Sequence, residues 1–312
     1  SLTIEQLLEM TGKNDSVMSD LLPMKMTYGA IQGSDRLRDA VCTMYAKQTR
    51  ENIVVTHGAI GANALVHETL IEPGDHVISV RPTYQQHYSI PESYGADVDI
   101  LQLRPENGFL PNLAELKAMV RPETKLIVLN NPNNPTGALM EAEALDAFVA
   151  IARSCDAFVL CDEVYRGTNQ IGDGFAPAMA DVYEKGISVA GMSKTFSLAG
   201  LRLGWIAAPL DVLEAVSIHR DYNTISVGML DDYFAAMALE TKDKLLSRCP
   251  HITRGHLSLL CAWVPDDPSM SSLQPKAVTT SQMHYYVDIP SLVFFIQLIQ
   301  LHVVTSHARS AR

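Results

Sequence analysis

The chain has 312 residues, 47% apolar and 19% charged, with a formal net charge of −11 at neutral pH. That length is enough to bury a sizeable core in one large domain or two smaller ones. An acidic balance without any block of Lys or Arg argues against nucleic acid or an anionic membrane as partner, since both require clustered cations.

The five cysteines, Cys42, Cys155, Cys161, Cys249 and Cys261, have no CxxC or Cys/His ligand spacing. They read as reduced and mostly buried thiols, with no metal site. Residues 1–20 lack the basic start and continuous apolar core of a signal peptide. The most apolar run, 292–304, is broken by Gln297, Gln300 and His302 and is too short to span a bilayer. The expected location is cytoplasmic.

In chain order, residues 1–27 form an N-terminal segment, and a helix is predicted over 35–47, where Leu37, Val41, Met44 and Tyr45 share a face. Short apolar runs that read as strands follow at 52–56, 76–80, 125–130, 157–161, 186–190 and 203–208. Several are apolar on both faces, as in a parallel sheet covered by helices. Between them, 142–153 carries Leu145, Phe148, Val149 and Ala152 on one helical face. The expected architecture is α/β, a mostly parallel sheet sandwiched by helices.

After residue 210 helices are predicted over 211–220 and 227–247, the second long and joining two domains. A turn at 264–268, a strand at 283–289 and a helix at 291–302 then make a small, shortened C-terminal domain. The predicted division is 1–27, 28–247 and 248–312.

Lys194 lies in Gly191-Met192-Ser193-Lys194-Thr195-Phe196-Ser197-Leu198-Ala199-Gly200-Leu201-Arg202-Leu203-Gly204. A lone lysine is ordinarily a solvated side chain. Here small residues and hydroxyls crowd it, and an arginine follows eight positions later. This suits an amine that forms an imine with a carbonyl, with a fixed cation nearby for a phosphate.

Four further motifs sit at strand ends or turns. Residues 56–62, THGAIGA, leave a strand and open a helix, so the amides of Gly58 and Ala59 form a ready anion site, with Arg202 as a bidentate cation. Arg81-Pro82-Thr83-Tyr84 follows another strand. The run NNPNNPTG at 130–137 is a rigid turn at a strand's carboxyl end, where open α/β sheets bind ligands. Asp162, in Cys161-Asp162-Glu163-Val164-Tyr165-Arg166, reads as a helix cap or as a functional carboxylate; Glu163 reads as structural. An earlier element, Tyr28-Gly29-Ala30-Ile31-Gln32-Gly33, precedes the strands.

From about residue 27 to 245 these motifs, in this order, resemble the class I/II aminotransferases, which are fold type I pyridoxal-phosphate enzymes. The wording of 56–63, 81–88 and 130–137 is similar to the capreomycidine synthase-like branch. The resemblance implies pyridoxal 5'-phosphate as cofactor and Lys194 as the imine-forming lysine that shuttles the substrate proton. It puts Asn134 and Tyr165 on the ring's phenolic oxygen, Asp162 on the pyridine nitrogen and Tyr84 against the ring face. Gly58, Ala59, Ser193 and Arg202 then hold the phosphate. Tyr28 reaches the phosphate of a neighbouring subunit, which implies a homodimer.

The implied substrates are an amino acid and a 2-oxo acid. Elimination or cyclisation on an amino acid, and cofactor binding without turnover, are the alternatives. Two departures stand out. Gly191 occupies a position where the family often has a phosphate-binding serine, a hydrogen bond worth roughly 1.5–3 kcal/mol, with Ser193 or Ser197 as replacement. The arginine expected late in the small domain for a substrate carboxylate has no counterpart, since Arg309 and Arg312 lie in the tail.

Overall fold

The computed structural model describes residues 1–13, 16–170, 175–263, 270–280 and 282–285. Helix α1 (Ile4–Thr11) starts at a reciprocal cap between Thr3 and Gln6 and leads to the short α2 (Val17–Leu21). Helix α3 spans Asp35–Cys42, where the Leu37 amide donates to the Ser34 hydroxyl. It is shorter than the predicted 35–47, because the amides of Ala46 and Lys47 leave the helical ladder and donate to the Asp181 carboxylate.

Strand β1 (Ile53–Thr56) leads into α4 (Gly58–Leu70), then β2 (His76–Arg81), α5 (Gln86–Ser93), β3 (Asp97–Gln102), α6 (Leu113–Met119) and β4 (Thr124–Asn130). Helix α7 (Ala142–Ser154), β5 (Phe158–Asp162), α8 (Met179–Val182), β6 (Gly186–Gly191) and β7 (Gly204–Ala207) follow. The seven strands form one sheet in the order β1-β7-β6-β5-β4-β2-β3. Strands β2 to β6 pair in parallel, while β7 is antiparallel to both β6 and β1. Every strand except β7 therefore runs in one direction, and Thr56, Arg81, Asn130, Asp162 and Gly191 all end at the same edge.

The period of two explains why the inner strands read as continuous apolar runs. Leu126 and Val128 face a cluster with Leu65 and Val66 of α4 and Ile187 and Val189 of β6. Ile127 and Leu129 face the opposite cluster with Leu145, Phe148 and Val149 of α7. A third cluster joins α1 and α3 to β1 and β7 through Leu7, Leu37, Val55 and Trp205.

Strand β3 was not among the predicted strands. It pairs only with β2, at the sheet edge, and its Asp97 and Asp99 carboxylates meet Arg121. Charge is an ordinary protection for an edge strand and hides it from a search for apolar runs.

The sheet edge is crowded at one point. Gly191 and Gly204 are register partners at the end of β6 and the start of β7. A Cβ on Gly204 would collide with the backbone of Gly58 and Ala59, so the start of α4 sits directly on these strands. A Cβ on Gly191 would come to 3.0 Å from Leu203 O and 3.2 Å from Gly204 Cα. A serine at this position, which the resemblance leads one to expect, would fit only if these backbone neighbours gave way by a few tenths of an ångström.

Beyond the sheet come α9 (Leu210–Asp221), α10 (Met229–Glu240) and α11 (Lys242–Trp263). The single helix predicted over 227–247 is two helices. Thr241 breaks it with φ −119°, and its hydroxyl turns back to the carbonyls of Met237 and Ala238. Strands β8 (Met270–Ser272) and β9 (Met283–Tyr285) pair antiparallel. The predicted turn at 264–268, the rest of the 283–289 strand, the 291–302 helix, Arg309 and Arg312 lie outside the described residues. None of the five cysteines is paired; Cys161 and Cys249 are buried, Cys42 and Cys155 half-buried and Cys261 exposed. Among the described residues no helix is long and apolar enough to cross a membrane.

Candidate active site

A cavity of about 290 Å³ opens at the carboxyl edge of the sheet. Its lining includes Ala59, Tyr84, Asn134, Asp162, Tyr165, Ser193, Lys194 and Arg202. They come from five segments, those at or after the ends of β1, β2, β4, β5 and β6, brought together because these strands end at the same edge. Gly58 is at the same end, where a Cβ would lie 3.0 Å from the Arg202 guanidinium. Tyr28 is not in the cavity and stands 74% exposed.

The end of β5 presents Asp162, only 5% exposed. Its Oδ2 accepts from Asn63 Nδ2 at 2.9 Å, and His87 Nε2 lies 3.3 Å from the same oxygen. Its Oδ1 accepts from the Val164 amide at 3.1 Å. The NNPNNPTG turn is stitched to this residue through Asn130, whose amide donates to the Asp162 carbonyl at 2.8 Å. Asn130 Oδ1 accepts from the Asn134 backbone N–H at 2.7 Å. Behind His87 lies His67, fully buried and with neither ring nitrogen bonded; burial, helped by His87, pushes it down to about 3. His67 is therefore a neutral imidazole at physiological pH.

Tyr165 is buried at the turn after Asp162. Burial pushes its phenol up, with a partly offsetting hydrogen bond to Thr279, so the hydroxyl keeps its proton at neutral pH. Lys194 Nζ lies 5.9 Å from the Tyr165 ring centroid. The lysine loop is tied to the Asp162–Arg166 turn by Thr195, whose hydroxyl contacts the carbonyls of Val164 and Arg166 at 2.9 and 3.0 Å. Arg202 adopts a left-handed backbone, φ 47°, and donates to the Ala199 carbonyl at 3.1 Å. Tyr84, 45% exposed, meets the His87 ring edge-on.

Several lining residues escaped the sequence reading: Ile60, Asn63, Gln86, Asn130, Val164 and Ala199. Asn63 had one available signal, an amide on a helical face otherwise made of Ala62, Leu65 and Val66. Asn130 was quoted within its turn, but its bridging bonds depend on the β4–β5 pairing. Among the described residues no cluster of His, Cys, Asp and Glu is arranged to hold a metal ion.

The donor set fits pyridoxal phosphate. The open amides at the start of α4, whose first turn has no side-chain cap, and the Arg202 guanidinium suit a phosphate. A buried carboxylate, an amide carbonyl on Asn63 without a partner and a protonated phenol suit a heteroaromatic ring with a basic nitrogen and an oxygen. An exposed primary amine lies beside them.

Residues 22–247 match the family described as aminotransferase class I and II. The chain belongs to this family of pyridoxal-phosphate enzymes, which the fold and the cavity define. It is 32% identical over 225 residues to capreomycidine synthase of Streptomyces vinaceus, covering 72% of this chain and 57% of that protein. It is 28% identical over 224 residues to the aspartate/prephenate aminotransferase of Thermus thermophilus, covering 70% and 58%. These matches thus span less than two thirds of the curated relatives' length. A crystal structure of a PLP-dependent aminotransferase from Streptococcus suis superposes with a TM-score of 0.92 at 44% identity, covering 96% of this chain and 80% of that one.

Next to the cavity, Glu163 is fully buried; its Oε1 accepts from the Met179 amide and the Ser188 hydroxyl, both at 2.7 Å. Burial pushes its carboxyl up to about 7, partly opposed by Arg166. With the folded value above the unfolded one, the folded chain binds the extra proton between about 4.5 and 7. This contribution to stability is complete below that window and is lost as pH rises through it. Glu163→Gln is expected to remove it, so the difference in unfolding free energy between wild type and variant should change by on the order of 2 kcal/mol across the window. Chemical denaturation at pH 5 and pH 8 measures this, and a pH-independent difference would contradict it.

Proposed function

We propose that the protein is a pyridoxal-phosphate-dependent aminotransferase, moving an amino group between an amino acid and a 2-oxo acid. The observation that carries this reading is that Lys194, Asp162, Tyr165, Asn134 and Arg202, from three separate stretches of the sequence, line one cavity. Bound there, the cofactor supplies an electron sink for the pair released at the substrate Cα.

The chain supplies the rest. Arg202, Ser193 and the amides of Gly58 and Ala59 bind the phosphate. The Asp162 carboxylate holds a proton on the ring nitrogen. Tyr165 Oη and the Asn134 amide donate to the ring's oxygen and fix its orientation, and the Tyr84 ring covers its face. Lys194 Nζ would hold the cofactor and, once freed by the incoming amine, would take the proton from the substrate Cα and deliver it to the C4′ atom of the cofactor. We assign this machinery to a large domain over 28–247, with 1–27 and 248–312 flanking it.

A second reading keeps the cofactor and ends in cyclisation or elimination. The similarity to capreomycidine synthase favours it. Both reactions begin with the same proton removal by Lys194, so the cavity serves either.

We also propose a homodimer with Tyr28 reaching the neighbouring site. Exposed Tyr28 adjoins Gly29, where a Cβ would lie 3.2 Å from Val227 O, and Tyr222, Ile225 and Leu230 of that region are exposed as well. An apolar group of this kind suits a partner surface.

Protein supplied with pyridoxal phosphate is expected to develop a visible absorbance that Lys194→Ala abolishes; wild type without the band would refute the cofactor reading. With a panel of amino acids and a 2-oxo acid acceptor, a keto-acid product is expected. An alkene or ring product would favour the second reading, and no spectral response to any amino acid would leave cofactor binding without turnover. Sedimentation should give twice the 34.2 kDa chain mass, and a monomer at micromolar concentration would remove the shared-site proposal.

A further inference from the structure

Asn63 is the fifth residue after Gly58 in α4, and it stands 1% exposed. Its Nδ2 donates to Asp162 Oδ2 at 2.9 Å, while its Oδ1 is buried without a partner. His87, on α5, approaches the same carboxylate oxygen at 3.3 Å, but neither of its ring nitrogens makes a well-formed hydrogen bond. Asn63 is thus the side chain that makes the formed bond to Oδ2.

Packing does not account for an amide here. The neighbours Ala62, Leu65 and Val66 belong to an apolar cluster. A buried amide with one half unanswered is costlier than an apolar side chain of the same size. The helix supplies the reason. Its first turn lies against the Arg202 end of the cavity, and it rises about 1.5 Å per residue, so Asn63 stands roughly 7.5 Å further along the axis. One rigid element therefore carries both the open amides of the phosphate end and the donor to the carboxylate of the ring end.

We propose that Asn63 is a positioning residue for the cofactor ring, acting through Asp162. Its amide fixes the rotation of the carboxylate and stabilises its negative charge. Helix α4 then sets the spacing between phosphate and ring-nitrogen partners. This rests on the reading of the cavity as a pyridoxal-phosphate site.

The test uses the full chain with pyridoxal phosphate as probe, comparing wild type with Asn63→Leu, which keeps the volume and removes the donor. The apo variant should stay folded by circular dichroism and melt somewhat below wild type, because a buried carboxylate loses one donor. The dissociation constant of pyridoxal phosphate should rise roughly tenfold, the loss of one hydrogen bond to a charged group. The pH midpoint of the visible band should move up by about one unit, because weaker hold on the ring-nitrogen proton lowers the positive charge of the ring, and the Lys194 nitrogen conjugated with it then keeps its own proton to higher pH.

If Asn63→Leu does not fold, Asn63→Asp, with the same shape, replaces it. There a second carboxylate faces Asp162, with His87 and His67 the other titratable groups packed behind, and affinity should fall as pH rises from 5 to 8. An unchanged dissociation constant and midpoint in the leucine variant overturn the proposal, as does pH-independent wild-type affinity in the aspartate variant. Wild type that passes the Lys194 test beside an unaltered Asn63 variant defeats this inference alone. Wild type that takes up no cofactor defeats both readings.

Discussion

A carboxylate buried as deeply as that of Asp162 is tolerated only when its lone pairs are answered, because an unpaired buried charge costs several kcal/mol. Here Asn63 on α4 and the Val164 amide of the next turn each donate to one carboxylate oxygen, and the His87 ring on α5 lies 3.3 Å from Oδ2. The Asn130 side chain ties the residue's own main-chain carbonyl to the neighbouring strand. Much of the cavity's geometry follows from satisfying this one group. The turn that holds Asn134 is fixed through Asn130, and the loop that holds Lys194 is fixed through Thr195 to the backbone just beyond Asp162.

The sheet makes this possible. Parallel strands that end at one edge leave their turns in a row, each free to carry a different group. Reversal of β7 brings Gly204 opposite Gly191, and the absence of side chains there lets α4 begin on top of the strand ends. The open amides of Gly58 and Ala59 and the Asn63 donor then belong to one helix. A bulkier residue at Gly204 would collide with the start of that helix, while one at Gly191 would crowd Leu203 and Gly204 of the neighbouring strand.

Stability and chemistry are interleaved around the site. Glu163 adjoins Asp162 in sequence but points into the protein, where it bonds Met179 and Ser188. Arg166 lies over the Tyr45 and Phe175 rings and donates to the Ala176 and Met44 carbonyls. Two adjacent acids thus divide the labour by the alternation of side chains at the end of a strand.

The motifs around Lys194, Asp162 and the NNPNNPTG turn were legible in the sequence because each is a contiguous run in which backbone and side chain act together. The inner strands were legible for a similar reason: burial on both faces leaves an unbroken apolar run. By contrast, β3 carries charges suited to an edge, and the break at Thr241 turns on a single hydroxyl bonding backwards. The pairing of Asn63 with Asp162 joins residues 99 positions apart and exists only once β1, β5 and their crossovers are packed. The motifs, through their resemblance to a known family, pointed to the family, its cofactor and many of the residues that line the cavity. Tertiary structure decided which carboxylate is held and by whom, since hydrogen bonds between distant segments depend on register and helix position, which no local pattern encodes.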